Sequence, residues 1–404
     1  MATATTADAI PAALLPFAGE ILDVDSHEHV PSNHWVNQFG PAAQRMQDAV
    51  RNSTYVANES KDVDDAEINA ENVWKLKRMN APGTFDISRR PEVLKFLGVK
   101  RQMLFPGAFG IKTIRLLAAA DNPAVCLPTI TGDRRRYALD LVDAYNDWAA
   151  HQTISHKGVV AVAIVAADGT PEDLIEETRK LIKKGVRSIW IRTSNLPGGV
   201  SPAHEALDPW YEMLSDANIT ICTHVGGDSG FLATEGWHEA AAFNGFKMGD
   251  EFSLDPWTLV NLSRGPENYI STMVLGGVFE RHPNLRVLMA EVSADWIGPL
   301  ARRMDMWVMH SGAFHRQNVH ATKQPPSEYI KRNVRVSPFE FEDVGKYITD
   351  YGLEDVYCYA SDFPHLEGGT EPMRRLLDSL RSHGHSDTVI RKFFVENAKW
   401  VLPD

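Results

Sequence analysis

Cysteine is scarce in this sequence, which contains three cysteines among 404 residues. Cys126, Cys222 and Cys358 are odd in number and far apart, and two of them lie within strand-like apolar segments. This usage argues against a disulfide-rich secreted domain and is typical of reduced thiols in a protein core. We therefore expect a cytoplasmic protein.

Long apolar runs and an excess of basic residues are also missing. The sequence has no run of about 18 apolar residues, as a membrane helix requires, and residues 1–6 do not resemble a secretory signal. The 53 acidic residues outnumber the 41 basic ones, for a formal net charge of -12. An acidic chain disfavours nucleic acids and anionic membranes as partners. We expect a small-molecule substrate, no nucleic acid or membrane partner, and a homodimer or higher homo-oligomer.

What the sequence does contain is a repeated alternation of short β-branched segments with amphipathic stretches of helical length. The eight candidate strands are residues 21–25, 101–105, 159–165, 186–191, 219–224, 285–290, 333–336 and 356–360. Alternating strands and helices indicate a parallel sheet, and eight such units indicate an α/β fold of the (β/α)8 TIM-barrel type. We predict a single domain over residues 1–404. Residues 1–20 would be an N-terminal extension, and residues 31–80 and 226–255 insertions with long loops over the C-terminal mouth. Within the first insertion, the loop reaches about residue 58, and residues 62–79 show helical spacing.

Several candidate strands end in carboxylate or imidazole groups. These groups are Asp25, His27 and His29 after the first strand, His224 after the fifth, Glu291 after the sixth and Asp362 after the eighth. A polar group at the end of an apolar strand is costly to bury unless something binds it. The C-terminal ends of barrel strands meet at one mouth, where active sites form. Imidazole and carboxylate ligands suit Zn, Mn or Fe, so the pattern predicts one divalent metal ion at this mouth.

The sequence around these strand ends resembles the amidohydrolase superfamily (amidohydrolase-related family 2), in the branch related to aminocarboxymuconate-semialdehyde decarboxylase. The segments that carry the resemblance are Asp-Ser-His at 25–27 with Pro31 and Trp35, Thr-His-Val-Gly at 223–226, and Ser-Asp-Phe-Pro-His at 361–365. Supporting segments are Tyr-Asn-Asp-Trp at 145–148, Phe-Glu-Arg-His-Pro at 279–283 and Trp-Ile-Gly-Pro-Leu at 296–300. The likeness extends over nearly the whole chain, from about residue 21 to about residue 402.

The resemblance implies a distorted (β/α)8 barrel that holds one divalent metal, Zn or Mn, with Fe as a further option. The ligands would be two residues of the first strand together with His224 and Asp362. No lysine follows the strand at 186–191, where a carbamylated lysine would bridge two metals in other members, and this absence favours a one-metal site.

Two alignments of the first strand remain open. The positions of Pro31 and Trp35 select Asp25 and His27 as the ligand pair, which is the alignment that we favour. The His-x-His pattern of the decarboxylase selects His27 and His29 instead. Residues two apart on a strand point the same way, so either pair can share one ion.

The expected catalytic residues are Asp362, Glu291 and His365. Asp362 would bind the metal and accept a proton from the bound water, and Glu291 or His365 would serve the leaving group. Glu291 stands where decarboxylase relatives carry a histidine, which turns the expectation towards hydrolysis. We assign substrate binding to Arg192, Trp35 and His29. Arg192 can bind a carboxylate through bidentate hydrogen bonds.

The expected function is that of a metal-dependent hydrolase of a small cyclic or aromatic substrate that bears a carboxylate, with a metal-activated water as nucleophile. The alternative is a metal-dependent non-oxidative decarboxylase of an aromatic or muconate-type acid. A third hypothesis is that the protein is not an enzyme but a metal-bearing barrel that is used only for binding.

Overall fold

The computed structural model of this protein describes residues 6–52, 63–227, 237, 240–243, 255–310 and 322–403. Parts of the two predicted insertions, 31–80 and 226–255, therefore lie outside the described residues. Within the described ranges, no helix combines the length and the apolar character needed to cross a membrane.

The strands form two parallel sheets that follow the chain order. The strands are β1 (Ile21–Asp23), β2 (Val99–Leu104), β3 (Val159–Ala161), β4 (Ala163–Ile164), β5 (Ser188–Trp190), β6 (Thr220–Thr223), β7 (Arg286–Met289) and β8 (Val334–Val336). One sheet has the order β1-β2-β3 and the other the order β4-β5-β6-β7-β8, with every pairing parallel. β3 and β4 together make up the predicted strand 159–165, so seven of the eight predicted strands are present as strands.

The eighth predicted strand, 356–360, is not a regular strand but still hydrogen bonds to both of its expected neighbours. On one side, Val336 N donates to Val356 O at 3.0 Å and Cys358 N donates to Val336 O at 3.0 Å. On the other side, Val24 N donates to Tyr359 O at 3.1 Å. The segment thus connects β8 to the chain after β1, and the predicted α/β barrel architecture is confirmed in a distorted form.

Helices occupy most of the connections between the strands. They are Thr6–Ala9, Trp35–Phe39, Gln44–Arg51, Ala70–Lys75, Arg90–Phe96, Ala108–Ala118, Arg134–Ser155, Pro171–Lys183, Asp208–Asp216, Pro256–Val260, Arg264–Leu275, Val278–Arg281, Ile297–His310, Pro326–Asn333, Val344–Tyr351, Pro372–Ser382, Asp387–Arg391 and Ala398–Val401. The helix Pro171–Lys183 shows how the sequence sets its own boundary: Thr170 Oγ1 accepts from Asp173 N at 3.3 Å, and the Asp173 carboxylate accepts from Thr170 N at 2.9 Å. This reciprocal capping box satisfies two amides that a helix start leaves without partners.

The core lies inside the ring of strands and between the strands and the helices. Apolar residues from neighbouring strands are fully buried there, among them Ile21, Ile164, Ile189, Ile221, Val287, Leu288 and Val336. Strands buried on both faces read as continuous apolar runs rather than as alternating patterns. The polar residues that follow these runs are therefore held at the carboxyl ends of a rigid set of strands.

Candidate metal centre

Six carboxylate and imidazole side chains, from three strand ends and from the chain after segment 356–360, meet in one buried place. They are Asp25 and His27 after β1, His224 after β6, Glu291 after β7, and Asp362 and His365 after the segment 356–360; their exposed fractions are 1%, 1%, 3%, 4%, 6% and 7%. Buried ionisable groups of this kind persist in proteins when they are paired or bind a metal.

Asp25, His27, His224 and Glu291 form one compact group. Their potential ligand atoms all lie within 4.8 Å of one another. His224 Nε2 lies 2.7 Å from Glu291 Oε2 and 3.1 Å from His27 Nε2, and His27 Nε2 lies 3.4 Å from Asp25 Oδ1. Four donor atoms at these separations can be ligands of a single ion.

Asp362 and His365 form a second group with His27 and Glu291, again with all potential ligand atoms within 4.8 Å. His365 Nδ1 lies 3.0 Å from Asp362 Oδ1, and His27 Nε2 lies 3.6 Å from the same oxygen. The His365 ring stacks on the His27 ring, with 3.9 Å between centroids. The two groups share His27 and Glu291, so they describe one centre rather than two separate sites.

The donor atoms fit a divalent cation. Among the described residues, the buried oxygens Asp25 Oδ1 and Glu291 Oε2 accept no hydrogen bond of regular geometry, although imidazole nitrogens lie 3.4 and 2.7 Å away from them. His224 Nδ1 lies 2.9 Å from Val225 O, and donation of its proton to that carbonyl would leave the lone pair of Nε2 available to a metal ion. A cavity of about 10 Å³, the space of a single water or ion, adjoins the group and is lined by Asp25, Glu291 and Asp362 among others.

The electrostatics of the centre also favour a bound cation. Burial lowers the pKa of His224, but Glu291 and Asp25 outweigh this effect and raise that pKa to about 10. For Asp25 and Glu291, burial raises the pKa, but the neighbouring imidazoles outweigh it and the pKa of each carboxyl falls below its usual value. The carboxylates therefore stay ionised and are stabilised by nearby positive charge. Protons on the imidazoles or a metal ion can supply that charge.

Two of the six residues have a strained backbone. Glu291 has a φ of 52° and Asp362 a φ of 50°, in the left-handed region that side chains other than glycine rarely adopt. Such a conformation costs roughly 1–3 kcal/mol and persists where the surroundings enforce it, often at functional sites. Here Asp362 N donates to Asp25 O at 3.0 Å, which ties the end of segment 356–360 to the end of β1.

The other predicted site residues lie in different surroundings. His29 belongs to neither group; its amide donates to Thr84 O at 2.7 Å and its ring centroid lies 6.0 Å from that of His365. The geometry therefore places Asp25, rather than His29, beside His27. Arg192 is buried just past the end of β5, next to the strand that carries His224.

Trp35 lies in the hydrophobic core rather than at a surface of the centre. It has no exposed surface, its ring packs edge-on against Phe109 at 5.4 Å, and its indole N–H donates to Val30 O at 3.0 Å. These contacts give it a packing role in this structure, unlike the substrate-binding role predicted from sequence.

A buried polar network, not apparent from the sequence, lies beneath the centre. Arg90 Nη2 donates to His27 O at 2.7 Å, and Gln102 connects Arg90 to Asp23 through hydrogen bonds of 2.8 and 2.7 Å. Asp23 belongs to the first strand and was available as a signal, because a carboxylate inside an apolar strand requires partners. Arg90 and Gln102 carry no comparable pattern in the sequence.

Comparisons with known proteins agree with this architecture. The sequence profile of one family, described as Amidohydrolase, matches residues 113–403, a range that includes His224, Glu291, Asp362 and His365. The candidate ligands after β1, Asp25 and His27, precede that range. No curated protein matches the chain.

Solved structures resemble the chain over nearly its whole length. An amidohydrolase from Mycobacterium avium subsp. paratuberculosis K-10 is 20% identical with a TM-score of 0.66, over 95% of this chain and 99% of that one. The 5-carboxyvanillate decarboxylase from Novosphingobium aromaticivorans, solved as a mutant with manganese and 3-methoxy-4-hydroxy-5-nitrobenzoic acid, is 15% identical with a TM-score of 0.56, over 95% and 97%. The 2,6-dihydroxybenzoate decarboxylase from Rhizobium is 13% identical with a TM-score of 0.54, over 94% and 98%. At these identities the likeness establishes the fold.

Proposed function

This chain belongs to the amidohydrolase family, and from that premise we propose that it is a metal-dependent, non-oxidative decarboxylase of a small aromatic or cyclic carboxylic acid. The observation that carries the proposal is the buried convergence of Asp25, His27, His224 and Glu291 on one point, beside the hydrogen-bonded pair of Asp362 and His365. One divalent cation, Mn²⁺ or Zn²⁺, would occupy that point.

Two of the structures with the same fold support the choice of reaction. Both are decarboxylases of hydroxylated aromatic acids, and one of them contains manganese. The preference for decarboxylation over hydrolysis reverses the order that the sequence alone suggested. The likeness in fold supports the reaction class and leaves the substrate of this chain open.

The described residues offer a candidate group for each part of such a reaction. When bound, the cation would polarise substrate oxygens near the carboxylate. Arg192 would hold the carboxylate through its planar guanidinium. As the carbon–carbon bond breaks and carbon dioxide leaves, the electron pair stays on the ring carbon and takes a proton there. The Asp362–His365 pair, with Nδ1 and Oδ1 3.0 Å apart, would hold that proton and deliver it.

Hydrolysis is the second candidate, and Glu291 is the observation that favours it. Burial raises the pKa of this carboxyl, but His224 and His27 lower it further, so that Glu291 is ionised at neutral pH. An ionised carboxylate can accept a proton from an attacking water but cannot protonate a ring carbon. In decarboxylation Glu291 would therefore act only as a metal ligand. In hydrolysis it would also act as the general base that takes a proton from water.

Turnover in isotopically labelled water distinguishes the two reactions. The Mn²⁺-loaded protein would be incubated in D₂O or H₂¹⁸O with dihydroxybenzoates, 5-carboxyvanillate and a set of aryl esters and lactones. We expect carbon dioxide release and one deuterium at the vacated ring carbon, both lost after chelation of the metal. Incorporation of ¹⁸O into an acid product without carbon dioxide would contradict the proposal and establish the hydrolase. His365→Asn should reduce turnover while the metal stays bound.

A further inference from the structure

Arg90 is a fully buried arginine that lies directly behind the ligands of β1. It is the first residue of the helix Arg90–Phe96 and has no exposed surface. Its guanidinium donates to Gly83 O at 2.7 Å, Gln102 Oε1 at 2.8 Å and His27 O at 2.7 Å, with a longer contact of 3.3 Å to Ser26 Oγ. All four acceptors are neutral groups, so this arginine is held by hydrogen bonds rather than by an ion pair.

The hydrogen bonds continue from Arg90 to the backbone of the other ligand segments. Gln102 Nε2 donates to Asp23 Oδ2 at 2.7 Å. The second oxygen of Asp23 accepts from Asp25 N at 3.2 Å and from Ser361 N at 2.9 Å. A single connected network therefore contacts the main chain at His27, at Asp25 and at the residue that precedes Asp362.

Each of these contacts fixes a position on which the metal centre depends. A site that binds a metal requires its ligands to be held within about 0.5 Å of the productive geometry. The strained backbone of Asp362 also has to be held by its neighbours, since its φ of 50° is unfavourable by itself. The planar fork of arginine can bond several acceptors at fixed angles at once, which a lysine cannot do.

We propose that Arg90, acting through Gln102 and Asp23, is a positioning residue that holds the β1 ligands and the segment before Asp362 in the arrangement that binds the cation. The proposal rests on the metal centre of the proposed function but not on which reaction it catalyses. It assigns to the segment from Gly83 to Arg90, which follows the predicted insertion 31–80, a part in assembling the site.

Arg134 provides a matched control. It is also buried, with 5% exposure, and it also donates to neutral acceptors, the backbone carbonyls of Leu127, Ile130 and Cys126 at 2.9, 2.7 and 2.6 Å. These contacts lie at the start of the helix Arg134–Ser155 and do not include a candidate ligand. Arg90→Lys and Arg134→Lys therefore remove the same kind of hydrogen bonds at two places, only one of which adjoins the centre.

The experiment is a titration of metal-stripped protein with Mn²⁺, alongside thermal unfolding without metal. We expect Arg90→Lys to weaken Mn²⁺ binding roughly 10- to 100-fold, as loss of a group that orients metal ligands typically does, and Arg134→Lys to bind like the unmodified chain even if its Tm falls as much. Equal Mn²⁺ affinity in the two variants would overturn the proposal.

Gln102→Met keeps the proposal testable if Arg90→Lys does not fold. This substitution retains volume while it breaks the connection between Arg90 and Asp23, and we expect weaker Mn²⁺ binding in the folded variant. Unchanged affinity would overturn the proposal. The unmodified chain is titrated first. If it does not bind Mn²⁺, the proposed metal centre is itself refuted. If the unmodified chain and both network variants all bind Mn²⁺ tightly, only the proposed role of Arg90 is refuted.

Discussion

At the scale of single residues, the central question is which side chain shares the cation with His27. Asp25 Oδ1 lies 3.4 Å from His27 Nε2, whereas His29 stands outside both groups of potential ligands. His29 instead approaches His365, with 6.0 Å between ring centroids, and its amide bonds to the loop at Thr84. The two residues thus differ in their contact with the centre although both are two positions from His27.

The first prediction compares Asp25→Asn with His29→Asn. Asp25→Asn removes a negative charge from among the ligand atoms while it retains the shape of the side chain, so it should lower the metal content of the purified protein strongly. His29→Asn should leave the metal content near that of the unmodified chain. Elemental analysis, with circular dichroism to verify the fold, measures both. The reverse ranking would select His27 and His29 as the pair.

The second prediction concerns Glu291, whose Oε2 lies 2.7 Å from His224 Nε2. If this carboxylate is a ligand, Glu291→Gln removes charge from the centre and should weaken Mn²⁺ binding roughly tenfold or more, together with turnover. Calorimetric titration with Mn²⁺ measures the affinity. Undiminished affinity with turnover reduced about 100-fold would instead identify Glu291 as a general base alone.

The sequence was sufficient to predict the polar residues that the fold brings together, but not the residues that hold them in place. Asp25, His224 and Asp362 follow apolar strands directly, so a local pattern marks them. Arg90 lies at a helix start, distant in sequence from the strand ends, and its role depends on how the chain around Gly83 folds back onto β1. That information is present only in the tertiary structure.

At the scale of elements, the helix Pro171–Lys183 illustrates how a connection is fixed to the sheet. Its residue Glu177 reaches back to the end of β4, where Oε1 accepts from Ala166 N at 2.8 Å. Burial raises the pKa of this carboxyl from 4.5 to about 7, although its hydrogen bonds to the backbone oppose the effect. The charged form is therefore disfavoured in the folded protein.

The third prediction follows from the sign of that shift. Between pH 4.5 and about 7 the folded state holds a proton on Glu177 that the unfolded state releases, so the contribution of Glu177 to stability falls as the pH rises through this window. Glu177→Gln does not titrate. The free energy of unfolding of the Glu177→Gln variant minus that of the unmodified chain should therefore increase from pH 5 to pH 8, as measured by urea denaturation. An identical difference at both pH values would contradict the pKa shift.

The strands were predictable because buried parallel strands leave continuous apolar runs in the sequence. The exception is segment 356–360, where Tyr359 N donates to Phe393 O of the C-terminal region at 3.0 Å instead of to a neighbouring strand. The helical spacing of residues 62–79 agrees with the helix Ala70–Lys75. The segment from residue 31 to about residue 58 lacks clear periodicity and favours a loop, yet it contains the helices Trp35–Phe39 and Gln44–Arg51. These short helices are stabilised by tertiary packing, such as the burial of Trp35 and Met46, more than by local periodicity.

At the scale of the whole molecule, the barrel brings together residues that are more than 330 positions apart in the chain. His27 and Asp362 come within 3.6 Å only because the segment 356–360 returns to the end of β1. The centre therefore exists only when the fold is complete, and a bound cation should in turn stabilise the folded state against the unfolded one.

The fourth prediction is the most direct test of the account: the stoichiometry of Mn²⁺ binding to the metal-stripped full-length chain, measured from the electron paramagnetic resonance signal of free Mn²⁺. We predict saturation at one equivalent per chain, with a rise in Tm, and the loss of both effects in the folded His27→Ala/His224→Ala double variant. No saturable binding by the unmodified chain, or binding by the double variant at the same affinity and stoichiometry, would contradict the account.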